Sequence, residues 1–206
     1  MLDMEQGTPE WLQARCGLVT ASKISDVMSK GRGSSPSATR ATYMGQLIAE
    51  RLTGNPTAGF TNSSMDWGSE TEPQARAEYT MRTGNMVDEV GFVPHPTLAK
   101  AGASPDGLVA LDGLVEIKCP NTATHITSLL GGSIKNGYRL QMQWQMACTG
   151  RKWCDFVSFD PRMPDDMAYH CKRIERDNAE ITAITTAVST FDAELEALIK
   201  NLKDAY

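Results

Sequence analysis

The chain has 206 residues, of which 41% are hydrophobic, with 25 acidic and 20 basic side chains and a net charge of −5. This length favours one globular domain, and we expect a single domain over residues 1–206. No apolar run approaches the roughly 18 residues of a membrane helix, and the scattered cysteines and histidines lack the spacing of a zinc site.

Apolar spacing and helix-boundary residues predict a helical first third of the chain. Thr8 followed by proline marks the start of a first helix, and residues 20–23 open a second one. After a loop rich in glycine and serine, a third helix is predicted around residues 39–52. A fourth is predicted over residues 65–83, where Gly84 ends it.

Short β-rich segments, separated by proline, glycine and aspartate, dominate the chain between about residues 86 and 175. Strands are predicted at 86–93, 107–110, 114–119, 153–159 and 167–174, with helices near 123–130 and 136–148. Residues 177–204 have the apolar spacing of one long amphipathic helix. The pattern predicts the α/β (α+β) class, with one central mixed β-sheet flanked by helices.

Two charged side chains project from one face of a predicted apolar strand. Glu116 and Lys118 are two residues apart, and side chains of a strand alternate between its faces. Burying such charges is costly unless a metal, a substrate or a partner compensates them. Asp106 lies ten residues before Glu116, across an apparent hairpin that turns near Asp112 and Gly113.

The register of this hairpin decides whether Asp106 reaches the same face. A two-residue Asp-Gly loop would turn Asp106 to the opposite face of the sheet. A three-residue loop with Gly113 in the left-handed conformation would pair Ala110 with Leu114. That register sets Asp106 opposite Lys118. We therefore predict the three-residue loop.

Two carboxylates a few ångströms apart repel each other unless a cation lies between them. Oxygen ligands without histidine or thiolate favour Mg²⁺, with Mn²⁺ as a possible substitute. Such an ion would polarise a phosphodiester and activate a water molecule that Lys118 orients. The simpler alternative is an Asp-Gly turn beside a strand-end ion pair, which accounts for most isolated Glu-x-Lys pairs. The combination with Asp106 favours a metal-dependent nuclease.

Nine short segments, spread over nearly the whole chain, are similar to segments of one nuclease family in the same order. They are residues 11–15, 17–22, 67–68 with Glu72, 104–108, 116–120, 130–132, 141–143, 160–163 and 174–177. Each is a weak signal alone, but the ordered set resembles the phage lambda exonuclease and YqaJ-type viral recombinase family of PD-(D/E)xK nucleases. The resemblance implies a restriction-endonuclease-like core.

The resemblance also implies a metal site. Asp106 and Glu116 are expected to ligate the catalytic Mg²⁺ together with the backbone carbonyl of Ile117. Lys118 is expected to contact the attacking water, and Glu72 to lie near a second metal. Without the resemblance, a surface charge on a helix is the favoured explanation for Glu72.

A glutamine from the second helix of the middle region is expected to complete this site. The resemblance assigns the position to Gln141. Gln143 and Gln145 remain alternatives, because the segment between residue 132 and the glutamines is shorter than in the lambda enzyme.

Four residues match positions that bind DNA in the family. Arg15 and Ser22, with Thr20 at the predicted helix start, are expected to hold the 5′-phosphate of the trimmed strand. An arginine fork and free helix N–H groups both suit a phosphate, although a surface arginine and a helix cap fit the same pattern. Arg32, in the glycine- and serine-rich loop, is expected to enter a DNA groove.

The resemblance implies an exonuclease that degrades one strand of double-stranded DNA from 5′ to 3′, releases mononucleotides and leaves a 3′ single-stranded tail for recombination. It also implies a homotrimer ring threaded by DNA and a single-strand annealing protein as partner. Basic residues would line such a ring while the acidic last helix faces outward, which reconciles a net charge of −5 with DNA binding.

Two other functions fit parts of the pattern. One is an endonuclease of restriction or junction-resolving type on the same core, and the other is a DNA-binding module without catalysis. The complete set of core residues argues against the second. Residues 1–5 are acidic where a secretory signal is basic, and scattered cysteines suit a reducing compartment. We therefore expect a cytoplasmic protein, in the host cell if a phage encodes it.

Overall fold

The computed structural model describes residues 4–31, 37–57 and 63–206. Its helices are α1 (Pro9–Ala14), α2 (Ile24–Val27), α3 (Ala38–Thr53), α4 (Ser63–Thr83), α5 (Thr122–Leu129), α6 (Asn136–Thr149) and α7 (Asn178–Ala205). Its strands are β1 (Val19–Thr20), β2 (Val87–Asp88), β3 (Val93–Pro94), β4 (Ala101–Ala103), β5 (Gly107–Val109), β6 (Gly113–Lys118), β7 (Trp153–Phe159) and β8 (Tyr169–Glu175). A 3₁₀ turn, Ala21–Lys23, joins β1 to α2.

Five strands form the central sheet in the order β2-β5-β6-β7-β8. Strands β6 and β7 are parallel, and the other neighbours are antiparallel. The chain passes through α5 and α6 between β6 and β7, because parallel neighbours need a long crossover connection. The predicted α/β class with a mixed central sheet is therefore confirmed.

Side-chain alternation along β6 divides the core into two layers. Leu114 belongs to the larger cluster, which includes Trp144 of α6 and most of the buried side chains of α7. Val115 and Ile117 point to the other face and belong to the cluster that contains Tyr79 of α4. The sheet thus lies between α4 on one side and α6 with α7 on the other.

Residues 86–93 do not form the single strand that the sequence predicts. They contain β2 and β3, which belong to different sheets, and β3 pairs with β4 and β4 with β1 in a second, three-stranded sheet. The Ala-Gly-Ala sequence of β4 has low strand propensity, which hides this sheet from the pattern. A Cβ atom at Gly102 would lie 2.2 Å from the ring of Phe92, so close packing selects the glycine.

The second predicted helix is split into the 3₁₀ turn and the single turn of α2. Ile24 and Val27 are buried on one side, as predicted. However, the N–H group of Thr20 donates to the hydroxyl of Tyr43 at 3.3 Å. It is therefore not among the free helix N–H groups that the prediction assigned to a phosphate.

The acidic side chains of α7 are partly directed toward α3. Arg51 pairs with Asp192 and Glu196 at 2.6 Å each, and Arg40 pairs with Glu194 at 2.8 Å. These pairs do not bear on the expectation that the acidic helix faces outward in a ring, which stays a prediction. Each pair sets a positive charge against a negative one, so pairing leaves the net charge of −5 unchanged.

Two features that were expected from the sequence, unpaired cysteines and helices too polar to span a membrane, are found among the described residues. All five cysteines belong to the described residues and are free thiols. None of the described helices has both the length and the apolar character that crossing a membrane requires.

The hairpin between β5 and β6 has a three-residue loop, as predicted, but the loop is shifted by one residue. Val109 pairs with Gly113, so residues 110–112 form the loop. The left-handed residue is Ala110, with φ of 48°, and the prediction that Gly113 takes this conformation is wrong. A non-glycine residue in this conformation costs about 1–2 kcal/mol, so other contacts must favour the shifted register.

Those contacts involve Arg151 and Trp153. One guanidinium nitrogen of Arg151 donates to the carbonyl oxygens of Val109, Ala110 and Gly113 at 3.0, 2.9 and 2.7 Å. A Cβ atom at Gly113 would lie 2.1 Å from the ring of Trp153. Both partners lie about forty residues further along the chain, so local turn chemistry does not reveal the register.

The shift keeps the predicted face. Continuing the observed pairing by one residue places Asp106 opposite Glu116, whereas the prediction placed it opposite Lys118. Because both registers differ by a whole two-residue period, Asp106 lies on the side of Glu116 and Lys118 in either case. The predicted convergence of these residues therefore holds although the predicted pairs do not.

We expect Gly113→Ala to lower the free energy of unfolding by about 1–3 kcal/mol, because the added methyl group overpacks against Trp153. Urea denaturation of both proteins measures the change. Gly45→Ala, in α3 with no atom within 4 Å of the new Cβ, is the control and should stabilise the protein by about 0.5–1 kcal/mol. Equal destabilisation by both substitutions would contradict the assigned contact.

Candidate active site

Glu116, in the middle of β6, is fully buried. Its Oε1 atom accepts a 2.7 Å hydrogen bond from Nε2 of Gln141 and forms an ion pair with the ammonium group of Lys118. Its Oε2 atom accepts a 2.6 Å hydrogen bond from Nε2 of Gln145. An isolated carboxylate is strongly disfavoured in an apolar core, and these donors compensate its desolvation.

The two glutamines reach Glu116 because they lie four residues apart on α6 and therefore on one helix face. Gln143, between them, points elsewhere and bonds the carbonyl of Glu175 and the N–H group of Asp177. Gln141 is thus at the site, as predicted. Gln145, which the sequence left as an alternative to Gln141, is there as well, and its i,i+4 spacing was the available signal.

Asp106 lies directly before β5, and its Oδ2 atom accepts a 2.7 Å hydrogen bond from the backbone N–H of Ile117. Burial and the negative charge of Glu116 raise the pKa of Asp106 well above its ordinary value, although the ammonium group of Lys118 opposes this. The two carboxylates therefore share one poorly solvated region. The hydrogen bond to Ile117 ties Asp106 to the strand that carries Glu116 and Lys118.

Lys118 ends β6 with a side chain that is 27% exposed. Burial alone lowers the pKa of its ammonium group, but the carboxylates of Glu116 and Asp106 raise it above the ordinary value. Its Nζ atom lies 5.4 Å from the ring centroid of Tyr138. Lys118 therefore remains charged and has one side open to a reactant.

Glu72 approaches this group from α4. Its carboxylate accepts a 2.7 Å hydrogen bond from Arg76, which also pairs with Glu89 at 2.6 Å. Burial raises the pKa of Glu72, Arg76 and Lys118 oppose the shift, and the charge of Glu116 adds to it. Glu72 thus lies within electrostatic reach of the site, with its carboxylate already bonded to an arginine.

Asp106 and Glu116 offer carboxylate oxygens, the ligand type that suits a hard divalent cation, and the contribution of the backbone carbonyl of Ile117 stays a prediction. Two poorly solvated carboxylates lie beside only one ammonium group, so an additional positive charge would stabilise them. Within residues 4–31, 37–57 and 63–206, no three His, Cys, Asp or Glu side chains converge on one point as a metal cluster. The residues therefore fit one cation held by two side chains, and the role of Glu72 at a second metal stays a prediction.

A cleft of about 1120 Å³ adjoins these residues. Glu72 and Asp106 line one part of it, and Arg15, Thr20 and Ser22 line another. Of the predicted metal residues, Asp106 and Glu72 are therefore open to the same space as the predicted phosphate residues, although the two groups come from distant segments of the chain.

Arg15 lies in this cleft within electrostatic reach of Glu50 but without a salt bridge to it. Its guanidinium carbon is 3.7 Å from the ring centroid of Trp11, and its buried Nε atom has no hydrogen-bond partner in the described part of the chain. Among these residues it forms no salt bridge, and burial lowers its pKa to about 10. A partly buried cation with an unused donor is suited to an anionic ligand.

Trp11 connects Arg15 with the segment that carries Asp106, a contact that the sequence did not predict. Trp11 stacks on Arg15, and its indole Nε1 donates to the hydroxyl of Ser104 at 2.9 Å. Ser104 stands two residues before Asp106. Gln6 adds a second link, since its amide donates to the carbonyl of Pro105 at 2.8 Å. The presence of Ser104 beside Pro-Asp was the only local signal for this connection.

The remaining predicted DNA-binding residues differ in their exposure to solvent. Thr20 is buried at the end of β1 and Ser22 is exposed in the 3₁₀ turn. Arg32 lies outside the described residues. The structure thus brings Arg15, Thr20 and Ser22 to one wall of the cleft, and their roles toward DNA stay predictions.

Comparison with known proteins places the chain in a family. Residues 10–152 match the model of the YqaJ-like viral recombinase domain. The alkaline exonuclease LHK-Exo from Laribacter hongkongensis is 56% identical, with a TM-score of 0.90 over 96% of this chain and 97% of that chain. The same figures hold for the structure of LHK-Exo in complex with dAMP.

A more distant structure has the same fold. A phage-related exonuclease from Haemophilus somnus 129PT is 18% identical, with a TM-score of 0.67 over 90% of this chain and 96% of that chain. No match was found among curated proteins. The family model covers more than half of the chain, so the chain belongs to the YqaJ-like viral recombinase family, with the fold of its alkaline exonuclease relative.

Proposed function

We propose that this chain is a Mg²⁺-dependent exonuclease that degrades one strand of double-stranded DNA from 5′ to 3′. It releases mononucleotides and leaves a 3′ single-stranded tail for recombination. One observation carries the proposal: a single cleft is lined by both the carboxylate of Asp106 and the unpaired cation of Arg15. A metal site beside a separate anion site holds a strand by its end while a nearby phosphodiester is hydrolysed.

The relatives support the exonuclease activity. LHK-Exo is an alkaline exonuclease that is 56% identical over nearly the whole of both chains, and YqaJ-like domains are viral recombinase domains. LHK-Exo has been solved in complex with dAMP. Binding of a deoxynucleoside monophosphate by that enzyme fits the release of mononucleotides by this one.

In this proposal, Asp106, Glu116 and the carbonyl of Ile117 hold the Mg²⁺ ion, and Mn²⁺ can substitute for it. When bound, the ion polarises the scissile phosphate and lowers the pKa of a water molecule. Lys118, anchored by its ion pair with Glu116, donates a hydrogen bond that orients the attacking water. Glu72, which lines the same cleft, is proposed to lie near a second ion.

Arg15 is proposed to bind the 5′-phosphate of the strand that is trimmed. Its guanidinium group presents two parallel donors to a phosphate dianion, and the stacked ring of Trp11 fixes its plane. Ser22 and Thr20 are proposed to complete this site from the same wall of the cleft. Arg32 is proposed to contact a DNA groove on the family resemblance alone.

The homotrimer ring and the single-strand annealing protein are also proposals that rest on the resemblance. A closed ring around duplex DNA would keep the enzyme on its substrate between cleavage events. The annealing protein would bind the 3′ tail as it forms. Neither is needed for hydrolysis at a single end.

Digestion of end-labelled duplex DNA, with and without Mg²⁺, tests the proposed function. We expect release of the 5′ label only with Mg²⁺ and only from linear DNA.

Asp106→Asn should abolish hydrolysis and leave DNA binding measurable, because it removes one charge from the metal site. Arg15→Ala should lose the preference for 5′-phosphate over 5′-hydroxyl ends while it retains metal binding.

Each alternative gives a distinct result. Cleavage of closed circular DNA would favour the endonuclease, and loss of the 3′ label first would reverse the polarity. Full activity of Asp106→Asn would remove Asp106 from the metal site. An unchanged end preference in Arg15→Ala would remove Arg15 from the phosphate site.

The raised pKa of Asp106 predicts a pH-dependent rate. Burial and the charge of Glu116 favour the protonated acid, which cannot ligate a cation, so the rate should fall as the pH decreases through this pKa. Because Mg²⁺ competes with the proton, the midpoint of the pH–rate profile should move to lower pH as the Mg²⁺ concentration rises. Initial rates measured over a range of pH at low and at saturating Mg²⁺ give this shift. A pH midpoint that does not change with the Mg²⁺ concentration would contradict the prediction.

Gln145→Met should weaken metal binding by about 10- to 100-fold, since it removes the donor that orients Glu116. Binding of Mn²⁺ to the DNA-free protein, followed by electron paramagnetic resonance, measures the effect. Gln143→Met is the matched control, because Gln143 is an equally buried amide on the same helix that bonds elsewhere. Equal loss in both variants would point to general damage to α6.

A further inference from the structure

We propose that Glu50 and Arg51, consecutive residues of α3, are positioning residues that set the selectivity for 5′-phosphorylated ends by clamping the peptide groups of Gly17, two residues after Arg15. The inference rests on the proposed phosphate site and names residues outside it. The opposite charges of Glu50 and Arg51 hold the turn at Gly17 in one conformation.

The first half of the clamp is the buried carboxylate of Glu50. Its Oε2 atom accepts a 2.7 Å hydrogen bond from the N–H group of Gly17. Its Oε1 atom accepts bonds from the side chain of Gln46 at 2.9 Å and from the N–H group of Thr57 at 3.2 Å. Three donors meet two oxygens, so only an acceptor-only group satisfies them all.

Hydrogen bonding outweighs burial at this carboxylate. Burial favours the protonated acid, but the bonds from Gln46, Gly17 and Thr57 lower the pKa of Glu50 below its ordinary value. Glu50 is therefore ionised, and it has no salt-bridge partner within the described ranges. Its negative charge is held by N–H groups, of which one belongs to the turn that carries Arg15.

The second half of the clamp is Arg51. Its Nε atom donates to the carbonyl oxygen of Gly17 at 2.8 Å. Its terminal nitrogens donate to Glu196 and Asp192 of α7 at 2.6 Å each. All three nitrogens of the guanidinium group are therefore hydrogen-bonded, and the side chain is only 8% exposed. The turn at Gly17 and helix α7 together fix its position.

Gly17 is shaped for this clamp. Its φ is +71°, and a Cβ atom there would lie 2.8 Å from Cγ of Arg51. The residue thus combines a left-handed backbone with close contact to the clamp, and both favour glycine. Its N–H and carbonyl groups are bound by opposite charges from adjacent residues of one rigid helix, which leaves the turn little freedom to rotate.

The clamp matters to Arg15 because it fixes the turn that directly follows this residue, whose carbonyl oxygen accepts a 3.0 Å bond from the N–H group of Leu18 in the same turn. Arg15 ends α1, a helix of 6 residues, and its guanidinium group has a ring contact with Trp11 but no salt bridge in the described part of the chain. Loss of the clamp on Gly17 frees the turn and displaces the guanidinium group. Displacements of about 1 Å can cost about 100-fold in rate at a positioned group.

The test compares Arg51→Met with Arg40→Met in the full-length chain. Both arginines are on α3 and both pair with acids of α7, but Arg40 contacts Glu194 and the ring of Phe191 and does not touch Gly17. Steady-state kinetics on blunt duplexes with 5′-phosphate or 5′-hydroxyl ends give KM and kcat for each variant, and circular dichroism and thermal melting verify folding.

We expect Arg51→Met to raise the KM for 5′-phosphorylated ends about tenfold, which is less than the about 100-fold cost of a fully displaced group. The KM for 5′-hydroxyl ends should not change. Arg40→Met should keep the wild-type ratio of these two KM values. A wild-type ratio in folded Arg51→Met would overturn the inference. If the wild-type enzyme itself shows no preference for 5′-phosphate, the proposed phosphate site fails, and the inference fails with it.

A second variant keeps the test decisive if Arg51→Met does not fold. Glu50→Gln preserves shape, but its amide nitrogen must face at least one of the donors of Gln46, Thr57 and Gly17. It should lower the preference for 5′-phosphate in the same way. An unchanged preference in a folded Glu50→Gln protein would exclude the clamp.

Discussion

The carboxylate of Glu116 is enclosed on all sides in the middle of the central sheet, and it needs donors from two different elements to be stable there. Lys118 comes from its own strand, while Gln141 and Gln145 come from α6. The crossover that makes β6 and β7 parallel is what lays α6 over this face. The topology of the sheet and the polar site are therefore coupled, because the crossover supplies the two glutamines that bond the buried carboxylate.

Two features of the site are suited to ligands that the described residues do not supply. Asp106 and Glu116 bring two carboxylates into one poorly solvated region beside the ammonium group of Lys118, and Arg15, which lines the cleft, has a buried donor without an acceptor among the described residues. Unsatisfied buried groups cost about 1–3 kcal/mol each, and folded proteins rarely retain them without a ligand that compensates them. Their opposite signs match the two ligands of the proposed reaction, a cation and a phosphate.

The C-terminal helix contributes to the site without touching it. Its acids Asp192 and Glu196 hold Arg51, which bonds the turn after Arg15. Arg51 is 8% exposed, whereas Asp192 and Glu196 are 31% and 53% exposed. Ion pairs that are open to solvent add little net stability, so their value here is geometric.

By itself, the sequence determined the class of fold, the strand that places Glu116 and Lys118 on one face, and the helices α6 and α7. Those features follow from side-chain periods of two and 3.6 residues, which are local. Only the tertiary structure decided the hairpin register, which depends on Arg151 and Trp153, and the second sheet, whose strands are nearly featureless. It alone also placed Gln145 on Glu116 and left Arg15 unpaired, because contacts between distant segments leave no periodic trace in the chain.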